Sequence, residues 1–321
     1  MKKLANLNWT LSWTSIIGSV HGCLKYLGVD PGFSWLYGGT GHAFIINMSQ
    51  DGSCPSGPTA WNTAAFFELG KNLGYQIEGV LADKRKPGWK EKQAEAWLLA
   101  RTALDNDTPV FGWELAIPEF YVVDGYDEVG YYYKGPGAEN SPSPKPWQEL
   151  GVSGIGLLEI YSVKPEHPAD DRQVVREALE FAVSFNGGSS DWVLPDYLTG
   201  LAAYDVWFDA VKTGQADLMG HAYNAAVWEE CRRNSVAFLR EAKKRLDGLS
   251  EKAFTGAIQA YSEVAKHLKD MSELYPFFEN NREEPLGTNP RSQKAADYLQ
   301  SARRAEEEGL ARIKEIIGNL S

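Results

Sequence analysis

The sequence predicts an α+β fold, with a mixed first part followed by an all-helical second part. Between residues 108 and 163, four short segments rich in Val, Ile, Tyr and Phe follow one another: "TPVFGWEL", "EFYVVDGYD", "GYYYKGP" and "GIGLLEIYSV". Their length and composition are those of β-strands. From residue 170 onward, five stretches repeat apolar residues at helical spacing. A chain of 321 residues also favours two domains, drawn at 1–165 and 166–321.

Each element has a local reason. "SIIGSVHGCLKYLG" places Ile16, Ile17, Val20, Leu24 and Leu27 on one helical face, and Gly28 supplies a stop. "GGTGHAFIINMS" reads as a loop and a short strand. Residues 59–74 read as a helix with Thr59 as N-cap and Gly74 just past its end. "YQIEGVLA" alternates like a strand, and "WKEKQAEAWLLARTALDND" is an amphipathic helix ending near Leu104. The second and third of the four later strands form a hairpin through "DEVG". A loop rich in Pro, Gly and Ser precedes the fourth. Helices are expected at 170–186, 195–213, 219–247, 251–274 and 291–318. The stretch "PFFENNREEPLGTNP" is expected as a loop between the last two.

Composition narrows the function. The formal net charge is −11, from 32 basic and 43 acidic residues. That balance argues against nucleic acid, whose binding rests on phosphate neutralisation, and against anionic membrane surfaces. "MKKLANLNWTLSW" has a basic start but no apolar run behind it, so no secretory signal is expected. No segment approaches a membrane span. Cys23, Cys54 and Cys231 are odd in number and lack CxxC spacing, which reads as free thiols in the cytoplasm. No cofactor or metal is expected; HxxxH and HExxH are absent.

Three motifs in order, "KYLG", "LYGGTGHAF" and "VVDGYDEVGYYYKGP", resemble the papain-like cysteine peptidase superfamily over residues 8–163. The similarity is to the bacteriocin-leader-processing peptidases and the N-terminal domain of the butirosin-biosynthesis protein H family. The resemblance implies a nucleophilic Cys opening the first helix, a His opening the strand that runs into Gly-Tyr-Asp, and an acid just before a Pro. In this chain those positions fall at Ser15, Glu119 and Gly135. A thiolate–imidazolium pair works because the imidazole lowers the thiol pKa and shuttles a proton. A carboxylate is a weak base for an alcohol. The resemblance therefore implies the fold and argues against peptidase chemistry.

Other residues could rebuild a site. Cys23 lies two turns beyond Ser15 and reads as a core residue. His21, two residues from Cys23, does not face it on a helix. His42, in a glycine-rich loop, is a candidate base, whereas His167, His221 and His267 read as structural. Glu114 and Glu119 flank a strand turn, with Glu119 and Tyr121 on one face. With Trp13, Trp35, Tyr37 and Trp113 they compose a site for an amine or sugar-like ligand. They read equally as caps of backbone N–H groups or partners of Lys and Arg, with the rings filling the core. A glycosidase pair fits the fold poorly. A metal site with Asp124 is opposed by that residue's facing away from Glu119.

Three functions follow. The first is a non-peptidase that binds a small polar or cationic molecule in the former catalytic cleft. The second, implied by the butirosin resemblance, is an acyltransferase that moves an acyl group from a carrier protein to an amine. There Ser15 would be nucleophile, His42 base and Glu119 orienter. The third is an interaction protein using its helical part. Oligomeric state has no signature in the sequence.

Overall fold

The computed structural model describes every residue except 53, 189–191, 247, 279–284 and 321. Part of the loop expected at 276–290 therefore lies outside the described residues. The elements, in chain order, begin with β1 (Lys2–Lys3), α1 (Ser15–Leu27), α2 (Phe33–Gly39), β2 (Asn47–Ser49), α3 (Ala64–Asn72), β3 (Tyr75–Asp83) and α4 (Trp89–Asp105). Then come β4 (Val110–Trp113), β5 (Phe120–Tyr126), β6 (Gly130–Lys134), β7 (Lys145–Pro146) and β8 (Leu157–Pro165). The remainder is α5 (Asp171–Asn186), β9 (Tyr197–Thr199), α6 (Gly200–Thr213), α7 (Leu218–Arg245), α8 (Glu251–Leu274) and α9 (Pro290–Leu320). The fold is mixed α and β, with an antiparallel sheet and a helical C-terminal region.

The chain divides into two compact units. One is Met1–Phe33 with Leu73–Pro168, and the other is Ser34–Asn72 with Ala169–Ser321. This differs from a single cut at residue 165, because 34–72 groups with the helices. Its apolar side chains explain why. Trp35 and Phe44 meet Phe238 of α7, and Trp61 meets Phe181 and Phe185 of α5. Strand β2 pairs antiparallel with β9, so residues 197–199 are extended where a helix was expected. Thr59 lies in a 3-10 turn, and Asn62 rather than Thr59 accepts the Ala64 N–H at the start of α3.

In the first unit the sheet runs β3-β8-β4-β5-β6-β7, with β1 added beside β5. The hairpin through residues 127–129 joins β5 and β6 as expected. Helix α1 packs on β4, β5 and β8, burying Ile16, Ile17, Val20 and Leu24. It ends at Gly28, whose φ of 72° is the left-handed conformation glycine tolerates at a helix end. Two more glycines let the preceding segment lie flat on this helix. A Cβ on Gly22 would sit 2.1 Å from the Asn8 carbonyl oxygen, and one on Gly18 would sit 2.4 Å from the Thr10 carbonyl oxygen. On the sheet, Phe111, Trp113, Phe120 and Tyr161 meet in tilted and edge-to-face contacts on one face, and Tyr121 and Tyr133 meet on the other.

The second unit is built on α7, α8 and α9. At its centre Arg232 of α7 donates to Glu306 of α9 at 2.7 Å and to the carbonyls of Ala43 and Ile45 at 3.0 and 2.8 Å. Both charged side chains are fully buried. No described helix is long and apolar enough to cross a membrane.

Candidate functional site

Ser15 is the first residue of α1, following Thr14 in extended conformation. Its hydroxyl donates to Glu119 Oε2, and its oxygen accepts the Phe120 N–H at 2.9 Å. The helix start and the strand start thus meet at one hydroxyl. Ser15 is buried, whereas Glu119 is half-buried. Helix starts carry unsatisfied N–H groups and a partial positive charge, so a carboxylate here is in favourable surroundings. The Ser15 proton is committed to a carboxylate, not to an imidazole.

The turn that carries Glu119 is tied at both ends. Glu114 N–H donates to the Glu119 carbonyl at 2.8 Å. Glu114 itself has φ +58°, a left-handed conformation that costs a non-glycine residue about 1 kcal/mol. Its carboxylate accepts the Ser153 hydroxyl at 2.7 Å, and Ser153 in turn receives the Ile155 N–H at 3.1 Å. Glu114 is thus a loop clasp. The amide of Ile117 donates to Tyr121 Oη at 3.0 Å, and that hydroxyl donates to the Pro136 carbonyl at 2.7 Å. The Tyr121 ring also explains Gly135: a Cβ there would lie 2.6 Å from it. A carboxylic acid at 135 has no room.

The other expected residues take different places. Trp13 is half-buried and Trp113 is buried against Phe120 in the first unit. Trp35 and Tyr37 belong to the core of the second unit, where they are 3% and 0% exposed. There the Arg245 guanidinium lies 3.8 Å from the Trp35 ring centroid, and Tyr37 Oη donates to Glu230 at 2.7 Å. His42 is also in that core, ringed by Tyr37, Trp61 and Phe66, with Nδ1 3.8 Å from Cys231 Sγ. Burial lowers its pKa to about 4, so it stays neutral. The grouping expected for acyl transfer thus keeps the Ser15–Glu119 contact, while His42 is held by its own unit's rings. Asp124 is engaged by Lys134 at 3.2 Å, which removes it from any metal set with Glu119. Cys23 is fully buried, and burial pushes its thiol pKa up, as a core residue requires. His221 is buried too, receiving the Trp207 indole N–H at 3.0 Å.

Two features escaped sequence reasoning. Glu159 lies on β8 and is 9% exposed. Burial pushes its pKa up to about 7, partly offset by the Tyr161 hydroxyl at 2.9 Å. The signal was a lone Glu inside the apolar run "LLEIYSV". The other is a hydrogen-bonded chain through His21, whose partners Thr10 and Asp30 are eleven and nine residues away. Only the folded loop brings them together. No family model matches the chain, and no curated protein matches it.

Proposed function

We propose that this protein binds a small cationic molecule, an amine by preference, at the Glu119 carboxylate, on a papain-like scaffold without peptidase chemistry. The single observation that carries the reading is the Ser15–Glu119 contact. It sets a hydroxyl where the resemblance expects the nucleophile against a carboxylate where the resemblance expects the imidazole. A half-buried carboxylate attracts a cation more strongly than one in bulk water, because the local dielectric is lower. The Phe120 N–H fixes the Ser15 oxygen, and the Ser15 hydroxyl donates to the carboxylate, so the site is arranged before a ligand arrives. The Glu114 clasp and the Tyr121 hydroxyl hold the turn that presents it. Among the described residues the Ser15 hydroxyl is bonded to a carboxylate and not to an imidazole, which is why binding is favoured over acyl transfer.

A thermal-shift panel tests this reading. Primary and secondary amines should raise the melting temperature, while carboxylates and neutral isosteres of the same shape should not. Equal shifts from amines and their neutral isosteres would refute the charge pairing. No peptide cleavage is expected.

A further inference from the structure

The first unit holds a second arrangement of reactive groups. His21 Nδ1 lies 3.0 Å from Thr10 Oγ1, and its Nε2 lies 3.0 Å from Asp30 Oδ1. Asp30 is fixed in turn by the Gly32 N–H at 2.8 Å. An ionised carboxylate only accepts, so the imidazole proton sits on Nε2 and Nδ1 keeps a lone pair. The Thr10 hydroxyl therefore donates to Nδ1. The ring is 6% exposed and packs against Phe33 at 5.1 Å. Thr10 is half-buried and lines a cleft of about 450 Å³ with Asn8, Trp9, Gly22, Lys25 and Tyr26. Lys25 lies four residues beyond His21, on the same helical face. The groups that bear on the His21 charge are Asp30, which favours it, and Lys25, which opposes it; burial outweighs Asp30 and lowers the pKa.

We propose that Thr10, His21 and Asp30 form a nucleophilic centre that takes the acyl group of small activated esters entering this cleft. Hydroxyl, base and orienting carboxylate within hydrogen-bond reach are the requirement for such catalysis. Thr10 Oγ1 bonds to the ester carbonyl carbon while its proton passes to His21 Nδ1. The adduct collapses, the bond to the leaving alkoxide or phenoxide breaks, and that proton leaves with it. Water, giving its proton to Nδ1, then releases the acyl group as a carboxylic acid and restores the hydroxyl. Lys25 offers positive charge for the developing oxyanion. Asp30 is a positioning residue, because it acts only through the imidazole.

The experiment treats the full chain with p-nitrophenyl acetate and locates the acetyl group by mass spectrometry. Acetyl on Thr10 is expected. It should be retained in Thr10→Ser and lost in the near-isosteric Thr10→Val. Asp30→Asn should slow p-nitrophenol release at least tenfold and displace its rising pH limb. Acetyl found only on lysines or other residues of the wild-type chain would overturn the proposal. So would an Asp30→Asn chain with an unaltered rate and pH profile, since a merely structural tie would then remain. The wild-type acetylation site decides even if a variant fails to fold.

Discussion

Glu159 is a buried carboxyl whose only described bond is to Tyr161 Oη. Burial raises its pKa from the ordinary 4.5 of a glutamate to about 7. The folded state therefore holds this proton where the unfolded state has lost it. A raised carboxyl pKa gives stability that is present at low pH and lost as pH rises from about 4.5 to about 7. The full penalty at higher pH is on the order of 3 kcal/mol. Glu159→Gln keeps an oxygen for the Tyr161 hydroxyl and removes the charge. It should raise stability at pH 8 by about 1–3 kcal/mol and do little at pH 4.5. Urea melts at the two pH values check this, and equal effects at both would show that burial does not disfavour the charge. Glu159 was legible as an oddity in an apolar strand, but its environment was not: β8 is enclosed by β3 and β4, which lie far from it in the sequence. Ser15 and Glu119 were legible as positions from the motif order. Their hydrogen bond was not, because spacing along the chain carries no distance across 104 residues.

The long helices are legible because each carries its own periodicity and stops, whereas the seven residues of α2 were not expected and α3 begins at Ala64 rather than Thr59. Gly28 and Gly214 both close helices in the left-handed conformation, as glycine permits. Short β2 falls where a short strand is expected, but β9 lies in a stretch expected as helix, because its three residues pair with β2 some 150 residues away and local pattern cannot record that. Helix α1 makes a sharper prediction. Its glycines at 18 and 22 are one turn apart, and the Asn8–Thr10 backbone lies against both. Gly22→Ala would press a methyl group into the Asn8 carbonyl. Glycine is poor inside a helix by up to about 1 kcal/mol relative to alanine, yet here the clash should dominate. A net loss of about 1–3 kcal/mol is expected, measured by thermal or urea unfolding. A stabilised variant would mean that the segment lifts off the helix at little cost.

At the scale of the molecule, two compact units carry different chemistry. The helical unit encloses an ion pair, Arg232 with Glu306, joined by Tyr204 Oη at 3.1 Å from Glu306. Breaking such a pair leaves a buried charge alone, which costs about 3–5 kcal/mol. Glu306→Gln should destabilise this unit by that order, whereas replacing both residues together with apolar ones should recover much of the loss. A double-mutant cycle on the unfolding free energy measures it. The rings Trp35 and Tyr37 show why the site was only partly legible. An aromatic side chain looks the same in a sequence whether it lines a cleft or fills a core, and only the packing of α7 assigns them to the core.

The central claim is that Glu119 holds a cation beside Ser15. Isothermal calorimetry with an amine that raises the melting temperature, run on wild type, Glu119→Gln and Ser15→Ala, addresses it most directly. Glu119→Gln should weaken binding tenfold or more, about 1.4 kcal/mol, with the neutral isostere unaffected. Ser15→Ala should weaken it less, by loosening the carboxylate. Unchanged affinity in Glu119→Gln would contradict the account.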